Sequence, residues 1–136
     1  MAFIEKTDLY TKILEDELDE IIREDDTLVL QAAASAVSEM RGYLFDTFDV
    51  DAIFAQTGAN RHSLLVDFGA DITIYILVSR LQAGQSISDR QERYDRAKSW
   101  LKAASKTDIY NDLPRRVVTE QKHISYGSLP KRSNRF

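Results

Sequence analysis

The sequence predicts an all-α protein, a small bundle of about four helices followed by an extended C-terminal tail. Apolar residues recur at spacings of three and four in several separate stretches, as on the buried faces of amphipathic helices. The chain has 136 residues and no cysteine, enough for one domain with one core and without disulfides. We therefore expect a helical domain at residues 1–114 and an extended basic arm at residues 115–136.

The first helix is predicted from Asp8 to Ile22, with Thr7 as its N-cap. Its apolar stripe consists of Leu9, Ile13, Leu14, Leu18, Ile21 and Ile22. The acidic residues between them are expected to form a solvated face rather than a metal site, because the spaced ligands and glycine of a calcium loop are missing.

The second helix is predicted from Thr27 to Leu44, with Asp26 as its N-cap and several alanines that favour helix. Its expected core face is Leu30, Ala33, Val37, Met40 and Leu44. Residues 46–60 break the period and are predicted to be a loop containing a short helical turn at Val50 to Phe54.

The third helix is predicted from Leu64 to Leu81. The β-branched run from Ile72 to Val78 also fits a buried strand, but the whole apolar stretch is too long for a typical strand. Gly69 is the one possible breaker within it.

A final helix is predicted from Asp89 to Ala104. Ser88 and Gln91 match a capping box at its start. Tyr94, Ala97, Leu101 and Ala104 form its apolar face, and Trp100 beside them is expected to be a core anchor.

Asp67 and Asp71 lie one turn apart on the third helix, and paired carboxylates can do acid–base work when their pKa values differ. A polar stripe, or a contact to an arginine of a neighbour, is the simpler interpretation, since no histidine or nucleophile is spaced with them. His62 and His123 have no metal-ligating residue at a suitable spacing. We expect no enzymatic activity, no metal and no cofactor.

Charge is distributed unevenly along the chain. The net charge is −4, but residues 115–136 hold six of the 18 basic residues and one of the 22 acidic ones. An acidic body is a poor partner for nucleic acid, whereas a basic tail suits an acidic protein surface. The residues expected to bind a partner are Arg115, Arg116, Lys122, Tyr126, Lys131, Arg132, Arg135 and Phe136.

The tail also contains two short candidates for strand pairing, Val117 to Thr119 and His123 to Tyr126. We find neither a signal-peptide pattern at the start nor an apolar run of the roughly 20 residues that a bilayer requires. No membrane association is expected.

Taken in order, several stretches resemble the small head–tail connector proteins of tailed phages and prophages, also called adaptor or head-completion proteins. The resemblance covers roughly residues 5–114. The stretches are Thr7-Asp8-Leu9, the small-residue helix from Ala32 to Leu44 ending in Gly42-Tyr43-Leu44, Arg61 to Leu65 leading into Asp71 to Tyr75, Arg93-Tyr94, and Ala97 to Leu101.

The resemblance implies a virion protein, assembled in the bacterial host cytoplasm, that forms a homo-oligomeric ring between the portal protein and a tail-side connector or tail protein. DNA would pass through this ring during genome packaging and delivery without sequence-specific binding. The alternative is a small helical regulator or adaptor that binds a cellular protein through its basic tail. Ring formation distinguishes the two, because a regulator need not form a closed ring.

Overall fold

The computed structural model describes residues 2–80, 87–109 and 111–117, and these form an all-α bundle as predicted. Six α-helices are present in these ranges: α1 (Lys6–Leu9), α2 (Glu15–Ile22), α3 (Asp26–Leu44), α4 (Val50–Phe54), α5 (Ser63–Ser79) and α6 (Ile87–Ser105). A single 3₁₀ turn, Gly58–Asn60, precedes α5. Helix α4 has the bounds predicted for the short turn.

The prediction of one continuous first helix is wrong, because the chain leaves helical geometry between α1 and α2. Leu14 is extended and 74% exposed, although it was placed on the apolar stripe. The break allows Leu9, Ile13, Leu18 and Ile22 all to be buried, at spacings of four and five that one straight helix would not keep on one face. Helix α2 then starts with three acidic residues, which the positive end of a helix dipole favours.

Helix α3 begins one residue earlier than predicted. The carboxylate of Asp25, rather than Asp26, accepts the cap hydrogen bond from the Thr27 backbone N–H at 3.1 Å. The Thr27 hydroxyl, which donates to the same oxygen at 2.6 Å, and this backbone N–H together lower the pKa of Asp25. The predicted core face is also partly wrong, because Leu30 is 59% exposed. The buried face of α3 consists of Val29, Ala32, Ala33, Ala36, Met40 and Leu44.

Helix α5 is the central element and packs against both α3 and α6. It is a helix, not a strand, and Gly69 does not break it. A Cβ atom at Gly69 would lie 2.6 Å from Ile4 Cδ1 and 2.9 Å from Met40 Cε. The glycine therefore lets the N-terminal segment and α3 approach α5 closely.

Helix α6 starts by Ile87, so Ser88 is already helical and the predicted capping box is wrong. Ala97, Leu101 and Ala104 are buried as predicted. Trp100 is only half-buried and packs on Phe68, with ring centroids 5.3 Å apart. Trp100 therefore covers the rim of the core rather than anchoring its centre.

One hydrophobic core joins all these elements. It includes Phe3 and Ile4 from the N-terminal segment and Leu113 from the segment after α6. None of the helices in the described ranges is long and apolar enough to cross a bilayer.

Candidate functional site

The two aspartates of α5 contact a lysine of their own chain. Lys12, in the break between α1 and α2, places its Nζ 2.6 Å from Asp67 Oδ1 and 3.4 Å from Asp71 Oδ2. The sequence pattern favours a polar stripe or a contact to a neighbour's arginine for these aspartates and does not identify Lys12 as their partner. The available signal was that Lys12 is the only basic residue between Thr7 and Ile22.

Asp71 was expected on the polar side of α5, but it is only 2% exposed. Burial raises the pKa of this carboxyl, and the nearby Lys12 ammonium lowers it less. Oδ1 of Asp71 has no hydrogen-bond partner within the described structure, and Arg96 lies 4.0 Å from Oδ2. The pair thus differs in environment, since Asp67 is partly exposed and Asp71 is enclosed.

The N-terminal segment is held by a second ion pair close by. Arg61 donates to both carboxylate oxygens of Asp8, at 2.6 and 3.1 Å, and to the backbone oxygen of Phe3 at 2.7 Å. Asp8 keeps the pKa of Arg61 raised. This bidentate contact fixes residues 3–8 against the start of α5.

A strap formed by residues 111–117 lies across the other end of the bundle. Leu113 is buried, the Pro114 oxygen accepts from the Asp49 N–H, and the Arg116 N–H donates to the Thr47 oxygen, both at 2.9 Å. His62 Nε2 contacts Asp112 Oδ1 at 2.6 Å and lowers the pKa of that carboxyl. The described residues contain no group of three metal-ligating side chains, at His62 or elsewhere.

Two of the residues predicted to bind a partner lie in this strap. Arg115 places its guanidinium 5.2 Å from the centre of the Phe48 ring and forms an isolated antiparallel bridge with Phe48. Arg116 donates to the Phe45 oxygen at 3.3 Å. Both arginines stay exposed at the point from which the rest of the tail continues. The other predicted residues, Lys122, Tyr126, Lys131, Arg132, Arg135 and Phe136, lie outside the described residues, as do Val118, Thr119 and the second candidate strand.

The most acidic surface of the described structure lies on α2. We call it the α2 surface, and its members are Leu14, Glu15, Asp16, Glu17, Glu20 and the adjoining groove. That groove, of about 230 Å³, is lined by Ile21, Ile22, Arg23, Leu28 and Arg80. Among the described residues the side chains of Glu15, Asp16, Glu17 and Glu20 form no ion pair, whereas Asp19 pairs with Lys6 at 3.3 Å.

The α2 surface and the strap lie at opposite ends of α3. Lys6 Nζ joins Asp19 of α2 to Asp26, the first residue of α3, at 3.3 and 2.9 Å. The strap contacts Phe45 and Thr47, directly after the last residue of α3. A helix of 19 residues is about 28 Å long, so the acidic and the basic features are separated along the molecule.

These features define a single-core all-α protein with an acidic helix at one end and a basic chain segment at the other. The family model described as bacteriophage Mu, Gp36 matches residues 3–124. The chain belongs to this family. It is therefore a phage protein, of a family that suggests a structural or morphogenesis role. Comparison with curated proteins found no match.

Proposed function

We propose that this protein is a head–tail connector subunit that forms a homo-oligomeric ring between the portal protein and a tail-side connector or tail protein. The observation that carries this proposal is the membership of a phage family by an all-α chain. The protein would then reside in the virion.

Burial of Asp71 supports a role in assembly rather than catalysis. Asp71 is the α5 carboxylate with the raised pKa, but it is enclosed by the bundle and contacts Lys12. A substrate would reach it only if the N-terminal segment left the core. Lys12 and the aspartates instead join the α1–α2 connection to α5.

The net negative charge of residues 1–114 supports the passage of DNA through the proposed ring without binding to it. Residues 1–114 contain 21 acidic and 12 basic residues. Strong DNA binding depends on clustered cations that displace phosphate counterions, and an acidic channel wall repels the phosphates instead. The proposed ring would place this acidic body, rather than the basic arm, along the channel.

The test is to add the purified full-length protein to DNA-filled phage heads that contain the portal but lack connectors and tails. We expect an additional ring of density below the portal in electron micrographs, and retention of DNA in the heads. Heads assembled without the portal serve as the control and should take up no protein. Absence of the ring from portal-containing heads would contradict the connector function and favour the regulator alternative.

A further inference from the structure

We infer that the α2 surface of one copy receives residues 118–136 of the neighbouring copy, the part of the arm that follows the strap. This inference rests on the proposed function, because it describes how subunits of the ring would join. It assigns the basic arm to a second copy of this chain rather than to the portal or to its own body.

The α2 surface combines unpaired negative charge with exposed apolar surface. Glu15, Asp16, Glu17 and Glu20 are exposed and unpaired within the described structure, and Leu14 beside them is 74% exposed. A long exposed leucine with a neighbouring groove is a feature of surfaces that contact another protein. Arg23 and Arg80 are the cations on the border of the groove.

The sequence of residues 118–136 complements this surface. It holds Lys122, Lys131, Arg132 and Arg135 against the single acid Glu120. It also contains Ile124, Tyr126, Leu129 and Phe136, which suit contact with Leu14 and the groove. Opposite charges on two surfaces increase the association rate and determine the orientation of the complex.

The positions of the two features favour a contact between copies. The arm leaves the body at the end of α3 that carries the strap, whereas α2 is joined to the beginning of α3, a helix about 28 Å long, through Lys6. A contact between different surfaces of two identical subunits is heterologous, and such contacts close into rings when the rotation allows. The arrangement thus supplies the head-to-tail interface that a ring needs.

If the arm docked on its own body, the exposed acidic residues near the strap, rather than those of the α2 surface, would be its target. Asp46 and Asp108 are exposed close to the strap, where the Thr47 hydroxyl donates to the Ser105 oxygen at 3.0 Å. These two aspartates therefore provide a matched control. They carry the same charge as two residues of the α2 surface but lie at the other end of α3.

Cross-linking tests the contact directly, because the chain has no cysteine of its own. Full-length Leu14→Cys and Ser128→Cys proteins are mixed, oxidised at low salt and examined for covalent dimers that contain both variants. We expect such dimers, and far fewer when Ser99→Cys, on the exposed side of α6, replaces Leu14→Cys. A yield no higher than with Ser99→Cys, including no dimer at all, overturns the inference.

Charge reversal tests the electrostatic part. Asp16→Lys with Glu20→Lys, or Lys131→Glu with Arg132→Glu, should each lower the cross-linked yield about threefold to tenfold, as expected for a few exposed charge pairs. Mixing the two reversed proteins should restore it. Asp46→Lys with Asp108→Lys should leave it unchanged, and circular dichroism verifies that every variant is folded. Loss with the Asp46 and Asp108 variant alone would instead show that the charges of the α2 surface do not hold the arm and would overturn the inference.

The portal experiment separates this inference from the proposed function. If the reversed proteins form rings on portal-containing heads as well as the wild type does, the arm contact is wrong and the connector function stands. If the wild-type protein forms cross-linked dimers but no ring on the portal, the connector function is wrong and the contact between copies stands.

Discussion

Lys12 compensates two carboxylates that would otherwise repel each other within one turn of α5. Its Nζ is closest to the partly exposed Asp67, so Asp71 is left with a longer contact and an unpartnered Oδ1. Removing Lys12 is costly because it leaves carboxylates without a compensating positive charge. Removing the charge of Asp71 costs much less because the Lys12–Asp67 ion pair, which has no net charge, remains.

We predict that Lys12→Met lowers the free energy of unfolding by about 3 kcal/mol, whereas Asp71→Asn leaves it equal or raises it at pH 7. Asp71 has a raised pKa in the folded state, so its ionisation destabilises the protein progressively as pH rises above its ordinary value of 3.8. The stability difference between Asp71→Asn and the wild type should therefore grow as pH increases from 4. Urea unfolding at several pH values measures it, and an Asp71→Asn protein less stable than the wild type throughout would contradict this account.

Two helical glycines provide a second residue-scale prediction. Gly42 is exposed on α3 with open space around its Cα, whereas Gly69 faces the buried ends of Ile4 and Met40. Gly42→Ala should stabilise the protein by about 0.5–1 kcal/mol through helix propensity. In Gly69→Ala the same gain in helix propensity is outweighed by overpacking of the core, which costs roughly 1–3 kcal/mol. This variant should therefore be less stable than the wild type. Thermal unfolding of the matched pair tests this, and equal stabilisation by both substitutions would show that the core has room at Gly69.

Among the elements, the strap is packed less deeply than the helices of the core. Leu113 is its one buried side chain, and two backbone hydrogen bonds and the His62–Asp112 contact hold the rest. Segments with few buried contacts open locally at a lower free energy than the core does. The strap nevertheless determines where the basic arm leaves the body.

We predict that the strap loosens in acid before the bundle unfolds. The folded-state pKa of Asp112 is lowered by His62, so its contribution is present above the ordinary carboxyl pKa and is lost as pH falls through the folded value. The protection of the Arg116 and Asp49 amides, measured relative to the intrinsic exchange rate at each pH, should fall below about pH 4, while the amides of α5 stay protected. In the Asp112→Asn protein, the Arg116 and Asp49 amides should be less protected at neutral pH. Their protection should also no longer change with the titration of residue 112. Unchanged protection of the Arg116 amide in that variant would show that the His62–Asp112 contact does not hold the strap.

At the scale of the whole molecule, the described residues share a single core, and this predicts cooperative unfolding. The buried cluster includes residues from Phe3 to Leu113, so the N-terminal segment and the strap are joined to the same interior as α5. Small domains with one core usually unfold in one step. Fluorescence of Trp100 and far-ultraviolet circular dichroism should give coincident thermal transitions near neutral pH. Separate midpoints would mean that α6, which carries Trp100, unfolds independently of the rest.

The sequence by itself determined the helical class and most of the helices. The helical state of α5 followed from local periodicity and length, because a helix buries side chains at a spacing that the chain displays directly. The bounds of α4 were also predicted correctly, although residues 46–60 break that period. The unequal charge of the body and the arm is likewise a property of composition. The partner-binding role of the arm and its docking site remain predictions.

Tertiary structure alone decided which residues meet. The break before Leu14, the exposure of Leu30 and the burial of Asp71 depend on how the N-terminal segment and α6 pack on α5, and no local pattern encodes that packing. Lys12 lies 59 positions from Asp71, and His62 lies 50 from Asp112. Such pairs form because packing of the core brings distant segments together. No single helix contains both partners, so the free energy that favours each pair arises only when the whole molecule folds.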